Sequence, residues 1–123
     1  MGKIIGDAGR SGTEIDIMEY LTVRGDTVQH TLHWDGYGKD HQSQAHLAVI
    51  PGLRQGFHTF GLEWKADGYI FYIDRKETWR TEKAVSHINQ YIILSLEVGK
   101  WAGDIRAANL PDSNLIDYVK VYQ

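Results

Sequence analysis

"FHTFGLEWKADGYIFYID", residues 57–74, contains two alternating runs separated by a turn signal. Residues 57–64 place Phe60, Leu62 and Trp64 on one side of an extended chain, and 69–74 place Tyr69, Phe71 and Ile73 on one side as well. Between them, Asp67-Gly68 predicts a tight hairpin, because glycine accepts the positive φ that such turns use. Two apolar faces joined by a hairpin predict an antiparallel sheet with one side buried.

Working outward, the same period of two recurs. Residues 27–34, TVQHTLHW, separate Val28, His30, Leu32 and Trp34 from Gln29, Thr31 and His33. Further strands are predicted over 13–20, 45–50, 91–98 and 115–122. Helical signal is thin: residues 82–89 suit only a short turn, and nothing reaches three amphipathic turns. The expectation is an all-β protein, an antiparallel β-sandwich formed from one domain over residues 1–123. Trp34 and Trp64 share faces with Leu32 and Leu62 and are expected in the core.

Composition narrows the classes. At 123 residues, 42% hydrophobic and 24% charged, the chain suits one ordinary globular domain. A net charge of -3 with no basic patch argues against nucleic acid as a partner. The longest apolar run, 91–94, is too short to span a bilayer, so no membrane partner is expected. The absence of cysteine leaves neither disulfide nor thiolate chemistry. Residues 1–13 lack the apolar centre of a signal peptide. His30, His41, His46, His58 and His87 show no metal-ligand spacing, and no metal or other cofactor is expected.

The first strand is the irregular one. In GTEIDIMEY, residues 12–20, Glu14 and Asp16 share a face, whereas regular alternation puts Glu19 with Ile15 and Ile17. Burying an unpaired carboxylate there is costly. One extra residue, at Ile17 or Met18, would flip the parity and bring Glu19 into line with Glu14 and Asp16. Three acids in a row suit acid–base work on a glycosidic bond, where one carboxyl must be ionised and another protonated. A solvated acidic strand face would carry the same spacing.

EIDIME resembles the signature of the family 16 glycoside hydrolases, the endo-β-glucanase, laminarinase, agarase and carrageenase group. The hairpin at 57–74, QYIILSLEVGKWAG at 90–103 and IDYVKVYQ at 116–123 resemble the family's later segments, in the same order. The resemblance implies a concanavalin A-like jelly roll and retaining, endo-acting hydrolysis of a β-linked polysaccharide. It implies catalytic roles for Glu14 as nucleophile, for Glu19 as general acid and then base, and for Asp16 between them. Thr31, His33, Ser95, Glu97 and Trp101 are then expected to bind substrate, Ser95 and Glu97 by alternation along the strand 91–98. Glu97 departs from the asparagine of several laminarinases and leaves the polysaccharide open. Asp117 matches a calcium position of many members, but its co-ligands belong to an earlier part of the domain, so no metal is assigned.

A family 16 domain is about twice this length, with the signature near its middle. The resemblance therefore implies the C-terminal half of such a domain, from a secreted or periplasmic enzyme. The alternatives are a non-catalytic glycan-binding jelly roll and an inactive fragment. Unpaired edges and apolar faces are expected to leave the isolated chain poorly soluble or oligomeric, its edges covered in a homo-oligomer or by a partner that supplies the missing N-terminal half. Size-exclusion chromatography with light scattering checks this, and a monodisperse monomer that melts cooperatively contradicts it.

Overall fold

The computed structural model describes residues 12–123, so most of the segment read for a signal peptide lies outside the described residues. The chain divides into two units, Met1–Tyr91 and Ile92–Gln123.

The first unit contains two antiparallel three-stranded meanders. Strands β1 (Glu14–Tyr20), β2 (Thr27–Trp34) and β3 (Gln42–Val49) form one sheet. Strands β4 (Phe60–Lys65), β5 (Gly68–Ile73) and β6 (Lys76–Thr81) form the other. The all-β antiparallel sandwich expected from alternation is what forms. Val28, Ala48 and Ile73 make one buried cluster, with Ile50, Leu53 and Phe60 against it. Leu32, Tyr69 and Phe71 make another, with Ile15, Trp34, Leu62, Trp79 and Val85 around it. Each cluster draws on both sheets, because each sheet turns its apolar alternate residues inward. Trp34 joins the core as expected. Trp64 sits at its margin, 39% exposed, and donates its indole N–H to the Ser86 carbonyl at 2.9 Å.

The hairpin at 65–68 forms, but glycine serves a different purpose there. Gly68 already pairs with Lys65 inside the ladder and is not among the positive-φ residues. A Cβ at Gly68 would stand 2.9 Å from the Thr81 carbonyl oxygen, so the close approach of β6 requires its absence. The positive-φ turn is the next one, Asp74-Arg75, with φ of 50° and 66°. Its Asp74 carboxylate accepts the Thr59 N–H at 3.0 Å and contacts His58 Nδ1 at 2.7 Å, which hold a non-glycine residue in that conformation. Neither Asp74-Arg75 nor the charged strand KETWRT at 76–81 carries a strong sequence signal, and β6 is not among the predicted strands.

Three other expectations are corrected. Residues 82–89 form no helix. Tyr69 OH donates to the Ala84 carbonyl at 3.0 Å and accepts the Ser86 N–H at 2.6 Å, so backbone groups a helix would need are engaged elsewhere. Residues 91–98 and 115–122 form no strands. Alternation specifies the faces of a strand but not its partner, and no segment among the described residues offers these two a ladder. In the second unit Leu96 and Val98 are accordingly 67% and 73% exposed. That unit contains two 3-10 turns, Lys100–Ala102 and Ile105–Ala107, the second capped by the Asp104 carboxylate on the Arg106 N–H at 3.0 Å. No helix among the described residues is long and apolar enough to cross a membrane.

Candidate active site

The site is built on the β1–β2 ladder. Asp16 pairs with Thr31 and Glu19 with Gln29, so Ile17 and Met18 together face the single residue His30. This two-against-one bulge stands where the sequence requires a parity change. Directly opposed residues of an antiparallel pair share a face. Glu14 lies across from His33, Asp16 from Thr31 and Glu19 from Gln29, and the three acids form one row on the face away from the core.

Each end of the row is anchored differently. Glu19 accepts the Thr31 hydroxyl at 2.5 Å and the Gln29 amide at 3.4 Å. Gln29 is itself held by Arg24, whose Nη1 donates to its Oε1 at 2.5 Å. Thr31 is only 3% exposed and its hydroxyl is engaged by Glu19, so it grips the carboxylate rather than lining open space. At the other end, Tyr37 donates its hydroxyl to Glu14 Oε2. His33 Nδ1 and His41 Nε2 are 2.8 Å apart, within hydrogen-bond distance, with rings stacked at 5.0 Å. Tyr37 and His41 come from the loop joining β2 to β3. Sequence reasoning misses both, because alternation says nothing about a loop. The available signal was Asp35-Gly36, a turn dipeptide whose two positive φ values of 59° and 77° fold the loop back over the row.

Asp16, in the middle, has the most unusual environment. Its carboxyl is pushed up to about 8, first by burial, then by the charges of Glu19 and Glu14, and by a hydrogen bond to Glu14. His33 Nε2 stands 3.3 Å from Asp16 Oδ2, an ion-pair distance without hydrogen-bond alignment. That oxygen is buried and has no hydrogen-bond partner. Adjacent carboxylates resist joint ionisation, and burial makes Asp16 the member of the row favoured in the protonated form. Glu14, Asp16 and His33 bring possible ligand atoms within 4.8 Å of one another. Two of the three have further partners outside the set, Tyr37 on Glu14 and His41 on His33.

The raised Asp16 has a consequence for stability. The folded state holds a proton that the unfolded chain releases near 3.8, so this contribution is full below about pH 4 and is lost as pH rises through about 8. The urea midpoint is expected to fall between about pH 4 and pH 8. Asp16→Asn is expected to flatten that slope, and an unchanged slope in the variant contradicts the assignment.

Ser95, Glu97 and Trp101 belong to the second unit and are exposed there. The strand that was to set the facing of Ser95 and Glu97 is not formed. Alternation therefore does not place them on a sugar-facing side.

Known proteins resemble this chain in sequence and in fold. The model of Glycosyl hydrolases family 16 matches residues 4–120. A beta-glucanase of Fibrobacter succinogenes is 33% identical over 128 residues, covering 99% of this chain and 36% of that protein. An endo-1,3-1,4-beta-glycanase of Rhizobium meliloti is 29% identical over 89% of this chain and 23% of its own length. A Bacteroides ovatus mixed linkage glucan GH16 structure, in complex with a G4G4G3G product, superposes with a TM-score of 0.52 and 25% identity, over 57% of this chain and 33% of that one. The chain thus spans about a third or less of the lengths of these relatives. With the family model spanning nearly the whole chain and the acid row on its bulged strand, this chain belongs to the Glycosyl hydrolases family 16.

Proposed function

We propose that this chain carries the catalytic face of a retaining, endo-acting β-glucanase. The observation that carries the reading is the bulge that turns Glu14, Asp16 and Glu19 to one side of β1. In this reading Glu14 attacks the anomeric carbon and forms a glycosyl-enzyme ester. Glu19 protonates the departing glycosidic oxygen and then takes a proton from the incoming water. Asp16, neutral and hydrogen-bonded to Glu14, keeps a second negative charge away from the nucleophile. Its donated hydrogen bond also steadies the Glu14 carboxylate before attack.

The names of the relatives favour a β-1,3- or mixed 1,3-1,4-linked glucan over a galactan. His33 is the row's sugar-contacting candidate on β2, and Ser95, Glu97 and Trp101 remain candidates from the second unit. Residues 1–123 belong to one catalytic domain of a longer, exported enzyme.

The test is product analysis on lichenan, laminarin, agarose and carrageenan. Oligosaccharides of mixed length from lichenan or laminarin, with the first-formed reducing end in the β configuration by proton NMR, are the expected result. Glycan binding without sugar release would turn the reading to a non-catalytic binding module. Thr31→Val should lower kcat by roughly tenfold, the worth of a hydrogen bond to a charged group. KM should change little, because Thr31 touches Glu19 and not the sugar. A KM effect equal to or larger than the kcat effect would reverse that assignment.

A further inference from the structure

We propose that His30, on the core side of β2, is a positioning residue that pins the β1 bulge and so aims Glu19. A bulge interrupts the ladder and leaves backbone groups without their usual partners. Here the Ile17 carbonyl lies 2.6 Å from His30 Nδ1. His30 is also the one residue that Ile17 and Met18 jointly oppose. It is fully buried, an unusual place for histidine unless both ring nitrogens are satisfied.

The second nitrogen is satisfied too. Nε2 lies 2.8 Å from the Thr78 hydroxyl on β6. A carbonyl oxygen only accepts, so Nδ1 carries the proton. The single Thr78 hydroxyl proton has two acceptors in reach, Nε2 at 2.8 Å and the Phe71 carbonyl at 3.2 Å, and the shorter contact favours donation to a neutral Nε2. Burial pushes the imidazole below its ordinary value, in keeping with a neutral ring. The groups around it add no negative charge: His46 opposite on β3, Phe71 on β5 with ring centroids 4.9 Å away, and Trp79 on β6 stacked at 6.5 Å. The ring is thereby clamped between sheets, with Thr78 fixing its far edge.

The bulge is consequently held from both faces of β2. On the core side His30 takes the Ile17 carbonyl, and on the cleft side Thr31 and Gln29 take the Glu19 carboxylate. Without the core-side bond the bulge is free to shift, and a 1 Å displacement of a catalytic group costs on the order of 10²-fold in rate.

The kinetic part rests on the function proposed above, and the spectroscopic part does not. In the whole chain, long-range nitrogen–proton NMR of the imidazoles is expected to show His30 as the neutral Nδ1–H tautomer. A neutral Nε2–H tautomer or a charged ring at pH 7 would overturn the proposal, and this measurement needs no variant. His30→Leu removes the donor, whereas His30→Asn keeps an N–H close to the Nδ1 position. In His30→Leu the Asp16 titration, followed by carboxyl carbon NMR, is expected to drop by at least one pH unit toward the ordinary range. On glucan, kcat should fall about 10- to 100-fold with KM within about twofold. Asn should recover most of both losses. Wild-type values of the Asp16 titration in His30→Leu, or an Asn variant no better than Leu, would overturn the proposal. An inactive wild type would count against the glycosidase reading alone, with the tautomer and Asp16 titration still deciding the role of His30.

Discussion

Replacing Glu14 by glutamine is expected to reduce glucan hydrolysis by roughly 10³-fold or more, equivalent to about 4 kcal/mol of transition-state stabilisation. The substitution keeps the shape of the side chain and its place opposite His33. It removes the negative charge and the nucleophilic oxygen, and nothing else in the row can replace them. Asp16 is the nearest substitute, but its carboxyl is held neutral up to about pH 8. Glu19 is held by Thr31 and Gln29 at the far side of the bulge. Reducing-sugar release, compared with binding of the same glucan, reads the effect. Azide sharpens it. With Glu14→Ala, azide can attack from the vacated face and give a glycosyl azide of inverted configuration, whereas with Glu19→Ala it intercepts the ester and gives the retained product. Equal hydrolysis by wild type and Glu14→Gln would remove Glu14 from the nucleophile role.

Phe71→Ala is expected to cost about 3–5 kcal/mol of stability, against a total of about 5–15 kcal/mol for a domain of this kind. Phe71 is fully buried at the centre of β5 and touches both sheets. Its ring lies 4.9 Å from His30 and 4.9 Å from Trp79, centroid to centroid. Deleting it opens a cavity between two stiff layers that cannot close without moving a ladder. The same cavity removes the surface against which His30 rests, so loss of stability and loosening of the acid row should go together. Phe71→Leu should retain most of the stability, with a loss of about 1.5 kcal/mol or less. Urea unfolding followed by tryptophan fluorescence checks both, and a loss below about 1 kcal/mol for alanine would show that the two sheets do not depend on this contact.

Much of the site was legible because β1 breaks its own rule. A strand with Glu14 and Asp16 on one side and Glu19 on the other is inconsistent with a buried face, and the cost of burying a carboxylate makes a bulge the simplest remedy. The ladder has that bulge at Ile17 and Met18. His30 was legible only in part. Alternation places it with Val28 and Leu32 on the core side, but it cannot tell that the ring bonds the bulge on one edge and Thr78 on the other. Tyr37 and His41 were not legible, since loop residues have no period. Nor was β6, whose Trp79 is half-buried against the core within a charged hexapeptide.

By itself the sequence determined what depends on neighbouring positions: the two faces of β2 and β5, the hairpin at 65–68 and the parity break in β1. These follow from side-chain period and local turn chemistry, which a linear chain records directly. Only the tertiary structure decided what depends on partners. It showed that Gly68 is required by the Thr81 carbonyl beside it, that burial and two neighbouring glutamates push the Asp16 carboxyl up, and that 91–98 and 115–122 lack ladders among the described residues. A strand, a shifted pKa and a close backbone approach are each properties of at least two segments, and their physical cause is the proximity that folding creates.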